Sequence, residues 1–403
     1  MIQGHGDDRY RFQRDIQADF SSNVYSHVDL EPLKAHLRAR LDVIGRYPEP
    51  EPYTLEKALA VRLGIDPAAV CVTAGATEAI YLLAHAFTGS RSTILQPTFS
   101  EYADACRLFH HSIASGLSRG ATGTLFCCEP SQKRNTGCST RPTHAARERS
   151  GGWYPAQRPF FGSETDTRAA ERAMRCRVKP GMTEDVEPGM TMVWMCNPNN
   201  PTGTVIPKEQ LVQAIEDNLE TIFVIDQSYG FFTREPLLSA AETVQYPNVL
   251  QLHSMTKRYA MPGLRLGYVT GHPALIEKIR VVRMPWSVNA LAIEAGLFLT
   301  AHPDTAPIDL TTLLAETQRL RDHLNAIPGL TAEPTQTHFF LCRLAQGRAV
   351  DLKQELAEEY GILIRDASNF EGLDEGCFRI ATQTPEENDR LVEAIRNILK
   401  VNE

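Results

Sequence analysis

The chain has 403 residues, 42% hydrophobic and 22% charged, with 41 Lys+Arg against 49 Asp+Glu and a formal net charge of −8. That length exceeds the roughly 250–300 residues at which a single core stops growing, so two domains are expected. An acidic balance without a dense basic block argues against affinity built on nucleic-acid phosphates, and no nucleic-acid partner is predicted.

The first eight residues are polar and acidic and lack the basic and apolar regions of a secretory signal, which predicts a cytoplasmic protein. Apolar stretches such as 79–87 fall well short of the ~18–20 residues a membrane helix needs, so no membrane partner is predicted. There are nine cysteines, and no repeated CxxC spacing surrounds Cys127, Cys128, Cys138 and Cys176. They point to reduced thiols rather than a disulfide framework, and no metal site is predicted.

Residues 1–48, rich in Asp, Ser and Asn, read as an N-terminal arm. Short apolar runs at 70–73, 93–96, 192–196, 222–225 and 249–252 then alternate with helical stretches. This is the pattern of an α/β domain, here 49–285, with a mostly parallel central sheet flanked by helices. Each run ends in polar or glycine-containing sequence, at 74–77, 97–100, 197–203, 226–229 and 254–257. Ligands of open α/β sheets bind beyond the carboxyl ends of strands, so these five endings are expected to converge on one site.

Between 118 and 191 the apolar periodicity disappears, and twelve Lys/Arg stand against eight acids in an otherwise acidic chain. Pro180-Gly181-Met182-Thr183 recurs as Pro188-Gly189-Met190-Thr191. The segment reads as an insertion, a surface excursion rather than a nucleic-acid module. From 286 to 403 amphipathic helices and a few strands predict a smaller α+β domain. Thr384-Pro385-Glu386-Glu387 has the capping-box form, followed by Leu391, Ile395 and Leu399 at i+4 spacing.

Lys257, in Ser254-Met255-Thr256-Lys257 and eight residues before Arg265, reads either as a solvated charge or as a Schiff-base lysine beside a phosphate site. Asn197-Pro198-Asn199-Asn200-Pro201-Thr202-Gly203 favours the second reading, because an asparagine in that turn can donate to a ring oxygen without adding charge. Asp226 ends an apolar run, where it reads as a helix N-cap or as the buried partner of a positive group such as a protonated pyridine.

Taken together, the segments AGATEAI, PTFSEY, NPNNPTG, DQSY and SMTK…GLRLGY resemble the class I/II aminotransferase family of pyridoxal-phosphate (PLP) enzymes. The resemblance implies PLP as cofactor and the PLP-dependent transferase fold type I. Within the family the likeness is to histidinol-phosphate aminotransferases, through Arg46-Tyr47-Pro48-Glu49-Pro50, and to threonine-phosphate decarboxylases. The decarboxylase likeness is carried by His5-Gly6-Asp7-Asp8, Asp19-Phe20-Ser21-Ser22-Asn23, Pro285-Trp286-Ser287-Val288-Asn289 and Leu363-Ile364-Arg365-Asp366.

By that resemblance Lys257 holds the cofactor and shuttles the proton, while Asp226 pairs with the pyridine nitrogen. Asn200 and Tyr229 contact the phenolic oxygen. Tyr102 stacks on the ring, or else is a core aromatic. Gly75, Ala76, Thr77, Ser254, Thr256 and Arg265 form the phosphate cup. Tyr47 reaches the phosphate of a neighbouring subunit, which implies a homodimer with shared sites. Arg379 grips the substrate carboxylate, or makes an ordinary ion pair, and Asn23 and His5 line the substrate mouth.

The implied activity is transfer of an amino group between a small amino acid or amino-alcohol, phosphorylated or not, and a 2-oxo acid. Threonine-phosphate decarboxylation is the alternative, and a PLP fold inactivated by the insertion is a further one. Transamination and decarboxylation need the same lysine, aspartate and phosphate cup, so the motifs do not choose between them. Thr77, where histidinol-phosphate aminotransferases often carry an acid, and Gln383, where related sequences often have Gly or Arg, leave the substrate open.

Overall fold

The computed structural model describes residues 6–25, 27–117, 190–305 and 307–399. In chain order the first strands are β1 (Ala18–Asp19), β2 (Val70–Thr73), β3 (Arg91–Gln96), β4 (Ser112–Leu117) and β5 (Thr191–Cys196). They are followed by β6 (Thr221–Asp226), β7 (Val249–Ser254) and β8 (Gly267–Gly271). Seven of them form the central sheet in the order β2-β8-β7-β6-β5-β3-β4.

All neighbours in this sheet are parallel except β8, which runs antiparallel to both β2 and β7. Two antiparallel steps return β2 to the common direction. The carboxyl ends of β2, β3, β5, β6 and β7 therefore lie along one edge.

The apolar runs of β5 and β6 are buried almost end to end, as expected for strands covered on both faces. On β2, Cys71 enters one hydrophobic cluster with Ile80, Leu83 and Trp194, while Val70 and Val72 enter another with Leu55, Leu59 and Ala295. The two-residue repeat of a strand thus feeds two cores, one per face. The first expected strand, 70–73, matches β2, and the other four extend by one or two residues. The edge strand β4 and the antiparallel β8 were not expected, because SIASGL and GYVTG are short, glycine-containing and weakly apolar.

The C-terminal part contains β9 (Leu330–Ala332), β10 (Phe339–Leu344), β11 (Ile362–Leu363), β12 (Arg365–Asp366) and β13 (Cys377–Ala381). An antiparallel sheet of order β12-β13-β10-β9 packs its Phe340 and Phe378 with Leu391 and Ile395 of the helix Pro385–Ile398. That helix starts at Thr384 with the expected reciprocal capping box and proline in its first turn.

The arm packs against this part of the chain. Strand β1 pairs in parallel with β11, and the Ala381 amide donates to the Phe20 carbonyl at 3.0 Å. Lys353 bonds both carboxylate oxygens of buried Asp8, at 2.8 and 2.7 Å, which satisfies two charges that would each be costly to bury alone. The predicted insertion at 118–191 lies outside the described residues except for Met190 and Thr191, and Thr191 is already paired with Arg91 as the first residue of β5.

Candidate active site

A cavity opens where the five strand ends converge, and its wall is completed by residues 6–7 and 21–24 of the arm and by β12 and β13. Lys257, Asp226, Tyr229, Asn200, Tyr102, Ser254, Thr256, Arg265, Ala76, Thr77, Asn23 and Arg379 all line it. Residues from Ala76 to Lys257 meet there because the central sheet delivers its parallel strand ends to one edge, and the arm and the C-terminal sheet add Asn23 and Arg379.

One part of the wall is built to hold an anion. Gly75, at φ +88°, turns the chain into the eleven-residue helix Ala76–Ala86, whose free amides and dipole face the cavity. A Cβ on Gly75 would lie 2.7 Å from Nη2 of Arg265. One on Gly267 would lie 2.8 Å from the Ala76 amide nitrogen. Both glycines therefore let guanidinium and helix terminus close up, and the Ser254 and Thr256 side chains add hydroxyls to the same cavity.

Asp226, at the end of β6, is 4% exposed. Its Oδ2 accepts from the Tyr102 hydroxyl at 2.7 Å and its Oδ1 from the Ser228 amide at 2.8 Å. Burial pushes this carboxyl above the usual range, and the bonds from Ser228 and Tyr102 together with the charge of Lys257 oppose that push. Lys257 is moved the other way. Burial, reinforced by Arg379 and Arg265, brings its amine down to about 8.

Arg379 of β13 is buried and donates from Nη1 to Oδ1 of Asn200 at 2.5 Å and from Nη2 to the Ser21 carbonyl. Its Nε has no hydrogen-bond partner among the described residues. Arg365 of β12 is equally buried and, among the described residues, is held by the Asp366 carbonyl, by Oδ1 of Asn369 at 2.9 Å and by the Phe370 ring, 5.2 Å from its Cζ. Neither guanidinium meets a carboxylate within ion-pair distance among the described residues. Burial lowers both to about 10, with Arg365 also acting on Arg379.

The structure adds detail at three of these positions. Tyr102 is 1% exposed and turns its hydroxyl to Asp226, so it acts as a hydrogen-bond donor to the acid, and Phe99, edge-on to it at 6.0 Å, shares the wall. Asn200 spends its carbonyl oxygen on Arg379, leaving only its amide N–H for another group. Tyr47 does not line the cavity; it is 85% exposed, with its ring 5.6 Å from that of Trp286.

His5 lies outside the described residues. Arg365, Asp7 and Phe370, to which the sequence assigned no site role, also line the cavity. The signal for Arg365 was present in the LIRD segment, yet an isolated arginine after two short apolar residues carries no sign of burial.

Residues 15–114 and 167–395 match the family described as aminotransferase class I and II. The chain belongs to this family. Its members are PLP-dependent, the chain is an enzyme of that family, and its fold is that of the type I transferases.

The threonine-phosphate decarboxylase of Salmonella typhimurium is 30% identical over 387 residues, covering 94% of this chain and 91% of the relative. A histidinol-phosphate aminotransferase of Desulfitobacterium hafniense is 28% identical over 88% of this chain and 84% of its own length. The solved L-threonine-O-3-phosphate decarboxylase of Porphyromonas gingivalis is 34% identical, with a TM-score of 0.76 over 94% of this chain and 99% of that one.

The cavity fits PLP by its own chemistry. It offers a helix terminus, hydroxyls and a guanidinium packed against a glycine for a phosphate, and a buried carboxylate for a ring nitrogen. The primary amine of Lys257 is of the kind that condenses with an aldehyde. No helix among the described residues is long and apolar enough to cross a membrane, and no cluster of metal-ligating side chains occurs among them.

Proposed function

We propose that the protein is a PLP enzyme acting on an O-phosphorylated amino acid, and that it releases the α-carboxylate as CO2, a threonine-phosphate decarboxylase. The observation that carries this reading is the pair of buried arginines, Arg379 and Arg365, each held by neutral groups alone. A buried guanidinium without a counter-charge is costly, and two in one cavity call for a ligand with two anionic groups. A phosphorylated amino acid has both; histidinol phosphate has one. The decarboxylase relatives at 30% and 34% identity support the same choice.

Bound PLP supplies an electron sink for the pair released when a bond to Cα breaks. Lys257, as the neutral amine, would hold the aldehyde carbon and afterwards exchange a proton at Cα. Asp226 would keep the ring nitrogen protonated, held in its charged form by Tyr102 and Ser228. The amide N–H of Asn200 and the phenol of Tyr229 would bond the phenolic oxygen. Gly75, Ala76, Thr77, Ser254, Thr256 and Arg265 would hold the cofactor phosphate.

Arg379 would grip the substrate carboxylate, with Asn23 beside it, and Arg365, aided by His5, the substrate phosphate. Tyr47 would complete the phosphate cup of a second subunit. The exposure of Leu41, Ile44, Tyr47, Tyr53, Met284 and Trp286 supports a homodimer.

The test is CO2 release from O-phospho-L-threonine by the holoenzyme, set against transfer of the amino group from histidinol phosphate to 2-oxoglutarate. Decarboxylation that falls at least a hundredfold in Arg365→Ala, with cofactor content unchanged, supports the reading. Transamination of histidinol phosphate without CO2 release overturns it.

A further inference from the structure

The arm meets Arg379 through one residue. Ser21 is fully buried and lines the cavity, and its carbonyl accepts from Nη2 of Arg379. Its other polar atoms are tied into the arm itself. The Ser21 amide and hydroxyl both donate to Oδ1 of Asp19, at 2.8 and 2.7 Å, and the hydroxyl accepts from the Asp7 amide at 2.8 Å. A carboxylate that accepts from the amide two residues on makes an Asx-turn.

Both sides of this turn are anchored. Asp19 ends β1, and the Phe20 amide donates to the Leu363 carbonyl at 2.8 Å. Arg9 closes a ring, donating from Nη2 to Oδ2 of Asp19 at 2.9 Å and from Nε to Oδ1 of Asp7 at 2.8 Å. Asp7 holds a left-handed backbone at φ +58°, and a Cβ on Gly6 would strike the Ser21 carbonyl oxygen. The arm is thus pressed against the same carbonyl that Arg379 uses.

A guanidinium is planar, so fixing two of its N–H groups fixes the plane in which the others point. Asn200 and Ser21 fix Nη1 and Nη2, which leaves Nε and the second hydrogen of each terminal nitrogen for a ligand. Burial pulls the Arg379 guanidinium down to about 10, and the charge of Asp19 acts against that pull. Asp19 itself does not line the cavity.

We propose that Asp19 is a positioning residue for the substrate carboxylate. Its side chain folds 19–21 into the turn that presents the Ser21 carbonyl, and that carbonyl sets the plane of Arg379. The inference rests on the proposed reading only in that Arg379 takes an α-carboxylate; it does not depend on which bond to Cα is then broken.

Two ligands separate this role from a structural one. L-Threonine carries the carboxylate, and 1-amino-2-propanol is the same molecule without it. Each is titrated into holoenzyme, following the cofactor's visible absorbance. In Asp19→Ala, L-threonine should bind about tenfold more weakly, the scale of one lost hydrogen bond to a charged group, while 1-amino-2-propanol binds as to the unsubstituted enzyme and cofactor content is unchanged. Asp19→Asn keeps an acceptor for the Ser21 amide and hydroxyl and should recover most of the affinity. The Arg9 contact it gives up is half-exposed on the arginine and contributes little. Asp19→Ser, whose hydroxyl supports such a turn more weakly, should show a smaller loss, again for L-threonine alone, and decides the matter if Asp19→Ala does not fold.

Undiminished L-threonine affinity in Asp19→Ala or Asp19→Ser, a loss that falls equally on both ligands, or no recovery in Asp19→Asn overturns the proposal. Undiminished L-threonine binding in Arg379→Lys would remove the reading of Arg379 itself, whereas a loss there with none in Asp19→Ala removes only the role of Asp19.

Discussion

Nη1 of Arg379 donates to Oδ1 of Asn200 across 2.5 Å, joining the last strand of the C-terminal sheet to the turn that follows β5. One side chain is the proposed carboxylate clamp and the other the proposed contact to the cofactor's phenolic oxygen. Substrate seating is thereby linked to cofactor orientation through one hydrogen bond.

That link is expected to appear as non-additivity. Asn200→Ala frees a second nitrogen of Arg379, whose Nε already has no hydrogen-bond partner among the described residues. Arg379→Lys removes the planar fork and should raise KM for amino-acid substrates by about a hundredfold, the scale of a broken buried charge contact. The double substitution should cost clearly less than the product of the two single effects, with a coupling on the order of 1 kcal/mol. Multiplicative effects on kcat/KM would show that the bond is incidental.

Tyr102→Phe removes the 2.7 Å bond to Asp226 and leaves the carboxylate to the amide and hydroxyl of Ser228. Burial already pushes this acid upward, so its charged form weakens further. PLP affinity, measured by reconstituting dialysed apoenzyme, should fall about tenfold, the scale of a bond to a charged group. An unchanged affinity would mean that Tyr102 only fills the core.

The rate at which apoenzyme captures PLP should depend on pH through Lys257. Only the neutral amine attacks an aldehyde, so the rate rises with pH and levels off above the folded pKa. With that value lowered to about 8, roughly a tenth of the amine is neutral at pH 7, against far less than a hundredth for an ordinary lysine near ~10.4. Stopped-flow capture between pH 6 and 11 reads the midpoint directly, and a midpoint at or above 10 contradicts the lowered value. Lys257→Ala should bind PLP without the visible band of the lysine-bound form.

Gly75→Ala and Gly64→Ala form a matched pair. Both positions have positive φ, +88° and +68°, and each should lose about 1–2 kcal/mol of stability from backbone strain. Only at Gly75 would the new Cβ also strike Arg265, since nothing lies within 4 Å at Gly64. Cofactor affinity should therefore drop in Gly75→Ala and hold in Gly64→Ala. Equal affinities in the two variants would remove Gly75 from the phosphate cup.

Local chemistry made much of this protein legible from its residues alone. Strands β2, β5, β6 and β7 are runs of large apolar residues bounded by turn formers, and the Thr384 capping box is a four-residue pattern with its own geometry. Asn200, Asp226 and Lys257 stood out as an amide, an acid and an amine that follow apolar runs, whereas Arg379 was marked by the family resemblance.

What only the tertiary structure decided concerns partners distant along the chain. The pairing of β1 with β11, the bond from Tyr102 to Asp226, the oxygen of Asn200 given over to Arg379 and the burial of Arg365 each join residues far apart in sequence. No periodicity encodes such contacts. They follow from packing two sheets and an arm around one cavity, and burial there sets which charges are left in need of a ligand.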